Sequence, residues 1–393
     1  MLNIRQDCTA CGACVQVCPH NCIELKSNEQ GMFFPNIDKG KCIGCNLCEK
    51  VCHLCNSVLL NDEIKYAYAV THPEKDVLDR STSGGAFTAI AKYVLSKGGA
   101  VFGCAWTEHL IPRHICVETE QELAYLNGSK YVESEIGSTF KDAKDMLDNG
   151  RIVLYSGTPC QIAGLKAFLR KPYKNLITAD IVCHGVAPKV FFLKYIDWLE
   201  NRLQIRITNY DFRSKRNRGW SIAGILEGFS LRTGRNVIRK IFYFNEYYYY
   251  HFLKGTIYRD SCYLCKYANL NRPGDFTLGD LWGAEGLTLD YSIDRGCSLL
   301  LVNTSKAKDI LQSLNVNKTE IPIEFALKYN KQLLYAHSKP VDRDVVLEKF
   351  TECTANEINS WFIKHTVIDI LKGYLKLMIP IRVKNLYFKF KYR

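Results

Sequence analysis

Two runs of four cysteines near the start of the chain restrict its fold more than any other feature. Both runs read C-x2-C-x2-C-x3-C, a spacing in which three thiolates hold one iron–sulfur cube and the fourth thiolate binds the other cube. The spacing therefore predicts two 4Fe-4S clusters. The first is assigned to Cys8, Cys11, Cys14 and Cys52, and the second to Cys42, Cys45, Cys48 and Cys18.

Neighbouring residues fit this interpretation with one departure. Gly12 and Gly44 suit tight loops in which backbone amides turn towards cluster sulfurs. Pro19 ends the first run in the usual way, but His53 stands where the second run would have a proline, so the local turn there is expected to differ.

Zinc and disulfides are the alternatives for cysteines at such intervals. Zinc sites mostly use paired ligands, so eight thiols in two copies of this spacing fit neither alternative well. Cys22 and Cys55 fall outside the pattern and are expected to pack rather than to bind iron.

Composition indicates a globular chain that works in a reducing compartment. With 393 residues, of which 47% are hydrophobic and 23% charged, the chain can bury a core and divide into two or three units. Its first residues do not read as an export signal, and no run of 18 apolar residues predicts a spanning helix. The chain has 18 cysteines, and exposed clusters and free thiols require a reducing environment. We therefore expect a cytoplasmic location, with a membrane-peripheral one as the alternative.

The formal charge of +12 is concentrated at the end of the chain. Residues 361–393 contain one acid, Asp369, and eight basic residues between bulky apolar side chains: Lys364, Lys372, Lys376, Arg382, Lys384, Lys389, Lys391 and Arg393. The pattern predicts either a helix resting on an anionic membrane surface or an ordinary basic helix packed on the body. Nucleic acid is not expected as a partner, since no recognised binding motif accompanies the charge.

The predicted fold class is α+β, with a ferredoxin-like two-cluster domain fused to an α/β domain that has a mixed sheet. Residues 1–62 form the cluster domain, with a hairpin between the two cysteine runs. Residues 63–350 alternate short apolar strands with helices, and SLLLVNT is predicted to be the last core strand. Residues 351–393 form a basic amphipathic tail.

Two short motifs in the α/β part are typical of phosphate or dinucleotide contacts. The stretch from Ser81 to Phe87 combines hydroxyls and glycines before a predicted helix, where free amides and the helix dipole favour an anion. Such residues are also ordinary helix caps. Lys130 and Tyr131 lie in a polar turn that offers a cation and a stacking ring, or is simply a surface turn, followed by a helix predicted from about Glu135.

Four cysteines of the α/β part follow strands or form a C-x2-C pair. Cys160 begins a helix after Pro159, where the helix dipole would stabilise its thiolate, and Cys183 follows the next strand. Ligands of open α/β sheets bind at that edge. With Cys262 and Cys265, which alone fit zinc, redox or iron–sulfur use, they form a possible third 4Fe-4S site, the alternative being scattered structural thiols.

A basic segment at 213–220 ends at Trp220 and offers cations for phosphates and a ring for stacking. Taken in order, the motifs STSGGAF, GSKYV, SGTPCQ, CHG, FRSKRNRGW, CYLC and DFTLGDLWG make the chain resemble the family of coenzyme F-420 hydrogenase/dehydrogenase beta subunits over roughly residues 65–350.

The resemblance implies a flavoprotein with FAD at the mouth of an α/β domain and an iron–sulfur cluster close by. The flavin contacts it implies are Ser81, Thr82, Ser83, Gly84, Gly85, Ser129, Lys130, Tyr131, Gly157, Thr158, His184 and Gly185. The third-cluster ligands it implies are Cys160, Cys183, Cys262 and Cys265.

The expected function is electron transfer from a ferredoxin-like donor through iron–sulfur clusters to FAD and on to an organic acceptor by hydride transfer. The acceptor would be a small molecule or a lipid-linked compound. His184, or a residue of the 213–220 segment, is the candidate proton donor or substrate clamp, and Cys160 is the second candidate catalytic residue. A non-catalytic electron-relay subunit, and a vestigial flavin site with structural clusters, are the alternatives.

Overall fold

The computed structural model describes residues 5–56 and 66–379. Its N-terminal unit pairs two antiparallel strands with two short helices, so the predicted hairpin between the cysteine runs is present. The elements of this unit are α1 Ala13–Val17, β1 Ile23–Ser27, β2 Phe33–Ile37 and α2 Leu47–Lys50.

An eight-stranded mixed sheet forms the centre of the body, which confirms the predicted α/β architecture with a mixed sheet. The strand order is β13-β3-β12-β11-β7-β6-β4-β5, and the pairs β4–β6, β6–β7 and β7–β11 are parallel. Its strands are β3 Tyr66–Thr71, β4 Ala100–Trp106, β5 Pro112–Val117, β6 Val153–Gly157, β7 Leu176–Ile181, β11 Phe276–Asp280, β12 Ser298–Val302 and β13 Asn317–Ile321.

Two strands of this sheet are not predicted by the sequence pattern. SLLLVNT, which contains β12, is the last core strand that the pattern predicts, but β13 follows it and pairs with β3 at the sheet edge. Strand β13 is polar and largely half-exposed, so the apolar pattern that marks a core strand is missing. Strand β11 lies beside β7 and brings the DFTLGD motif to the edge where β6 and β7 end.

Helices cover both faces of the large sheet. They are α3 Lys75–Arg80, α4 Ala86–Ser96, α5 Leu123–Leu126, α6 Thr139–Asp148, α7 Pro159–Leu169, α12 Ser305–Gln312 and α13 Ile323–Tyr329. The helix expected from about Glu135 begins only at Thr139. Glu135 is extended instead because it bridges Arg113 beside the sheet.

A second core lies under a three-stranded antiparallel sheet of order β10-β9-β8. The remaining elements are α8 Lys189–Leu203, β8 Ile205–Asp211, α9 Lys215–Arg218, β9 Ala223–Ser230, β10 Asn236–Phe242, α10 Tyr247–Lys254, α11 Asp260–Tyr263, α14 Arg343–Glu352 and α15 Ala355–Met378. The tyrosines of the run 247–250 are buried among aromatic side chains of α8 and β8, so this run builds the core.

The C-terminal segment forms helix α15, whose packing on the body agrees with the second of the two alternatives. One face of this helix packs on the body, and the opposite face exposes apolar residues and lysines. The basic residues from Arg382 onward, which belong to the predicted tail, lie outside the described residues, as does the predicted domain boundary at 62. Among residues 5–56 and 66–379, no helix is long and apolar enough to cross a bilayer.

Candidate functional site

The first cysteine set lies in a pocket of the N-terminal unit. Cys8, Cys11, Cys14 and Cys52 line it together, and this is the group that the spacing assigns to one cluster. Gly12 starts α1 with φ of +77°, which a glycine adopts without strain. The Ala10 amide donates to Cys8 Sγ over 3.4 Å, so the loop turns an N–H towards the sulfur.

The second cysteine set lines another pocket of the same unit. Cys18, Cys42, Cys45 and Cys48 are its sulfur-bearing residues, together with a fifth cysteine, Cys22. Cys22 is buried, as expected of a packing residue, but its Sγ lies 3.2 Å from that of Cys18. The spacing rule gave no sign that Cys22 would lie among the predicted ligands. Cys55 is exposed.

The described residues contain no group of three or more His, Cys, Asp or Glu side chains close enough to share one metal ion. In a 4Fe-4S cluster each cysteine binds a different iron, so four cysteines spread around a pocket suit a cube better than a single zinc ion.

A third set of cysteines converges where β6, β7 and the 262–265 segment meet. Burial raises the pKa of Cys183 well above its ordinary value, and the nearby thiols of Cys262, Cys160 and Cys265 raise it further. The Val186 amide donates to Cys262 Sγ over 3.4 Å. The structure therefore brings together the four cysteines that the family resemblance implies as ligands.

Burial opposes the thiolate that the sequence predicts at Cys160. Thr158 caps α7, and its hydroxyl lies 3.1 Å from Cys160 Sγ, as the strand-to-helix motif predicts. Burial nevertheless outweighs the helix start and raises the pKa of Cys160 to about 11. In the absence of a bound cation this thiol is therefore protonated at neutral pH.

The first and third cysteine sets meet at a buried junction. A Cβ added to Gly164 of α7 would lie 2.8 Å from Cys11 Sγ, so the glycine allows this close approach. Burial raises the pKa of the Tyr267 phenol, and thiols of both sets raise it further: Cys160, Cys11, Cys265 and Cys52. Tyr267 therefore lies between the two sets.

His53, the departure from the usual proline, belongs to this junction. Its Nδ1 lies 2.6 Å from Tyr267 OH and its Nε2 lies 2.9 Å from Thr9 Oγ1. Lys266 Nζ also donates to its backbone oxygen. Burial lowers the pKa of His53 to about 3, so the imidazole is neutral and holds two hydrogen bonds. A proline could not make the two side-chain hydrogen bonds.

Arg259 fixes the same junction from the body side. Its side chain is almost fully buried and donates to the backbone oxygens of Cys8 and Phe33, over 2.9 and 2.8 Å. It pairs with buried Glu133 over 2.9 Å. No sequence motif singles out Arg259, because none of its three partners, Cys8, Phe33 and Glu133, is close to it in sequence.

The 81–85 loop lies against strand β12. Ser83 Oγ donates to the Cys297 carbonyl over 2.7 Å, and the Gly84 amide donates to Ser298 Oγ over 2.8 Å. A Cβ on Gly84 would lie 2.1 Å from the Val70 oxygen, so only glycine fits there. Gly85 begins α4 in the left-handed region, and no side chain caps this helix start. Ser81 Oγ donates to Val77 O within its own turn.

Residues 129–131, which the resemblance implies as flavin contacts, lie next to the 81–85 loop. Ser129 donates through its amide to Thr82 Oγ1 over 3.1 Å. Lys130 turns inward, and Nζ donates to the Asn127 and Gly128 oxygens over 2.9 and 3.2 Å. Burial lowers the pKa of Lys130. Tyr131 stacks on Phe252 with ring centroids 4.7 Å apart.

A charged and aromatic cluster faces the 81–85 loop. Arg213 pairs with Asp280 over 2.6 Å and lies over the Trp282 ring at 5.1 Å. Trp282 stacks on Trp220 with an interplanar angle of 3°. Lys215 Nζ donates to the Ser83 oxygen over 2.6 Å, and burial lowers its pKa to about 8. Asp280 and Trp282 were missed as site residues, although their motif was recognised.

The His184 side chain is solvent-exposed, and desolvation by the protein around it lowers its pKa, with His337, Asp280 and Arg213 near enough to modify it. The structure therefore brings His184 towards the Arg213 cluster. Gly185 follows with φ of +145°, and a Cβ there would lie 2.4 Å from the Tyr258 ring. Thr158 caps α7 and Gly157 precedes it, with a Cβ position 2.9 Å from Gln161 Oε1.

Beside these glycines lies a network that the sequence did not predict. His114 Nε2 lies 3.1 Å from the Ser156 oxygen, and its Nδ1 lies 3.1 Å from Ser134 Oγ. Gln161 donates to the same serine hydroxyl over 3.0 Å. Its members come from three separate segments, so no local motif announces it.

The architecture and the cysteine pockets define an iron–sulfur protein of mixed α/β fold. Residues 7–54 match the family described as 4Fe-4S dicluster domain. Residues 150–323 match the family that describes the C terminus of the beta subunit of coenzyme F420 hydrogenase/dehydrogenase. These two matches, to a segment of the beta-subunit family and to an N-terminal dicluster domain, confirm the resemblance seen in the motifs.

Two curated relatives are 24% identical to this chain. The F subunit of F(420)H(2) dehydrogenase from Methanosarcina mazei aligns over 163 residues, 39% of this chain and 46% of the relative. Coenzyme F420-dependent sulfite reductase of Methanocaldococcus jannaschii aligns over 346 residues, 86% of this chain and 50% of the relative. The chain thus spans about half the length of the curated relatives it matches.

Among solved structures, a chain from the xenon-derivatised F420-reducing NiFe hydrogenase complex of Methanosarcina barkeri is similar. It is 15% identical with a TM-score of 0.42, and the alignment covers 77% of this chain and 92% of that one.

Proposed function

We propose that the chain is an iron–sulfur flavoprotein oxidoreductase that accepts electrons from a ferredoxin-like donor and reduces an organic acceptor by hydride transfer. The observation that carries the proposal is the buried contact between the first and third cysteine sets, where Cys11 meets α7 at Gly164. Two redox sites separated only by buried side chains suit electron transfer through the protein rather than structural metal binding.

The ligand assignments follow the cysteine pockets. Cys8, Cys11, Cys14 and Cys52 would hold one cluster, and Cys42, Cys45, Cys48 and Cys18 the second, while Cys160, Cys183, Cys262 and Cys265 would hold a third. Clusters of this kind carry single electrons, whereas a flavin exchanges one or two and can transfer hydride, so a chain with both can join the two regimes.

The residues around the 81–85 loop fit the phosphates of FAD. The uncapped start of α4 offers free amides, and the 11 residues of this helix give it a dipole that favours an anion. Lys215, held at the Ser83 oxygen, brings a cation to the same loop. Ser81, Thr82, Ser83, Gly84, Gly85, Ser129, Lys130, Tyr131, Gly157, Thr158, His184 and Gly185 remain the proposed flavin contacts.

His184 is the proposed proton donor, and Arg213 is the proposed clamp for an anionic acceptor. Asp280 fixes the Arg213 guanidinium over 2.6 Å, so the cation is held in place before any acceptor arrives. Cys160 is less suited to catalysis than to metal binding, since its thiol is buried among three others.

Partners and location are part of the same proposal. A ferredoxin or another redox protein would dock near the second cysteine set, where Cys45 is exposed. An exposed thiol at Cys55 and an exposed proposed cluster ligand at Cys45 favour a reducing compartment such as the cytoplasm. The division into units at 1–62, 63–350 and 351–393 also stays a proposal.

The proposal is tested by anaerobic preparation followed by iron, sulfide and flavin analysis. Three cubes require about 12 irons per chain, and loss of one cube through Cys45→Ser or Cys160→Ser should remove about four. Cys116→Ser, outside all three sets, is the matched control. Wild-type protein with about four irons or fewer, or an iron content that Cys160→Ser leaves unchanged, would contradict the assignments.

Flavin binding is tested separately with Lys215→Gln. Loss of one charge beside the 81–85 loop should weaken FAD affinity about tenfold, the equivalent of one charge-assisted hydrogen bond. Lys92→Gln, on the exposed side of α4, is the control. Equal FAD affinity of Lys215→Gln and wild type, or no bound flavin in any preparation, would contradict this part.

A non-catalytic relay subunit is the second candidate, and the name of one relative, which is itself one subunit of a dehydrogenase, favours it. Purified protein supplied with reduced ferredoxin would turn over an acceptor alone only if it is the enzyme. Coenzyme F420 belongs in the acceptor screen because both curated relatives carry its name.

A further inference from the structure

Helix α15 is fixed to the body along one face. Ile358, Phe362 and Thr366 are buried on this face, and a Cβ on Gly373 would lie 2.3 Å from the Phe244 ring. Near its end, Tyr374 OH accepts from Asn245 over 3.1 Å. The helix therefore has a defined rotation about its axis, and its other face is set by the packing.

That other face exposes a continuous apolar stripe. It consists of Ile363, Val367, Ile368, Leu371, Leu375 and Met378. Positions 363, 367, 371 and 378 follow the helical repeat, and the stripe is about 22 Å long at 1.5 Å per residue. Leu375 is 63% exposed and Met378 is 79% exposed. Scattered apolar residues are normal on a surface, but an aligned stripe indicates a binding face.

The charges around the stripe are positive. Lys364 is exposed within it and Lys372 is exposed beside it, while Lys376 is exposed near the end of the helix on the side of Ile358. The only acid of residues 361–379, Asp369, is turned towards the body, where Tyr250 OH donates to it over 2.5 Å and Lys254 lies 3.9 Å away. The exposed face of this segment therefore presents cations and apolar side chains without a carboxylate.

We propose that this face of α15 docks flat on an anionic membrane surface, with the stripe at the acyl boundary and the lysines at lipid headgroups. An interfacial helix combines an apolar face with lysines in this way. A second copy of the chain is a poor occupant, because it would bring its own Lys364 and Lys372 to a face that already carries two cations and no carboxylate. No described helix can cross a bilayer, so the contact is with the surface. The inference does not depend on the proposed redox function.

The test is co-sedimentation of the full chain, prepared anaerobically, with vesicles of phosphatidylcholine alone or mixed with phosphatidylserine. Wild type should bind the phosphatidylserine vesicles, and binding should weaken with salt. Leu371→Ser combined with Leu375→Ser should lower the partition coefficient at least about tenfold. Lys372→Gln should lower it about fivefold, and only on the anionic vesicles.

The matched control is Leu231→Ser combined with Ile238→Ser, two residues that are 54% and 61% exposed on the small sheet. This control should bind as wild type does. Circular dichroism and thermal unfolding of each variant show that α15 is still folded.

Three results would overturn the proposal. Wild type could fail to bind either vesicle, or the Leu371 and Leu375 variant could bind as strongly as wild type, which would assign the membrane contact to another part of the chain. Light scattering could also show a wild-type dimer that this variant dissociates, and a second copy would then be the occupant.

Discussion

The two cysteine runs have the same spacing but lie in different surroundings. Cys11 of the first set is buried against α7, and the residues between it and the third set are a histidine, a tyrosine and a buried arginine. In the second set Cys45 is exposed, and neighbouring Ile43 is 67% exposed. Identical ligand spacing therefore predicts the same kind of cluster in both sets, whereas under the proposed function the different surroundings would decide where electrons enter and leave.

Because of this difference, the two sets face different neighbours. The second set is open to a partner protein, and the first is joined to the body through contacts that only the folded chain provides. Substitutions at the junction should therefore affect stability and the first set together, while substitutions near the second set should affect the partner alone.

Arg259→Met should have the largest effect. It leaves Glu133 buried without its partner and removes the bonds to Cys8 and Phe33, so the free energy of unfolding should fall by about 3–5 kcal/mol. Anaerobic denaturant unfolding measures it. Arg113→Met removes an exposed ion pair and should cost less than about 1 kcal/mol. If the two substitutions lowered the free energy of unfolding equally, the contacts of Arg259 at the junction would contribute no more to stability than an exposed ion pair.

Tyr267→Phe should cost about 2 kcal/mol, because it leaves the buried His53 Nδ1 unpaired. The midpoint potential of the first cluster should change as well, and that of the second should not. Tyr249→Phe removes a comparable buried bond to the Phe212 oxygen, far from either set, and is the control. If both variants changed the midpoint potential of the first cluster equally, the prediction that Tyr267 influences this cluster through its position at the junction would be wrong.

Gly164→Ala tests the close approach of Cys11. Alanine is favoured over glycine within a helix by about 1 kcal/mol, but the added methyl group would lie 2.8 Å from Cys11 Sγ. Overpacking costs about 1–3 kcal/mol, so a net loss of about 1 kcal/mol is expected. Gly40→Ala, beside the second set, should be neutral. A stabilised Gly164→Ala protein would mean that the two units separate readily.

Ile43→Ser should have the smallest effect on the fold, within about 0.5 kcal/mol, because the side chain is exposed. Its expected consequence is weaker association with a reduced ferredoxin, by about a few fold. Stopped-flow reduction at varied donor concentration measures it. Leu231→Ser, exposed elsewhere, is the control, and equal donor dependence in both would place the docking surface away from the second set.

Periodic patterns predicted most of the fold. Strands such as β4 and β6 and helices such as α4 and α7 have apolar repeats and clear ends, and the hairpin is bounded by the cysteine runs. Strand β13 was missed because an edge strand needs little apolar surface. The start of α6 was misplaced because Glu135 pairs with the distant Arg113, a contact that no local pattern encodes.

The candidate site divides in the same way. Cysteine spacing predicts which thiols share a pocket, since the ligands of one cluster come from short segments. Cys22, Arg259 and Tyr267 could not be assigned, because their positions depend on how distant segments pack. His53 was recognised as a departure from the pattern, but its purpose became visible only with its partner 214 residues away.

Strand β3 lies between β12 and β13, although it precedes them by more than two hundred residues. During synthesis, Tyr66–Thr71 therefore leaves the ribosome long before either neighbour exists. Both of its edges stay open until residue 302 has been made, and the edge that pairs with β13 stays open until residue 321 has been made. Open strand edges attract other chains. Early insertion of the iron–sulfur clusters should therefore be favourable. It would complete the N-terminal unit, which precedes β3 in the chain, as the first folded part while the edges of β3 are still open.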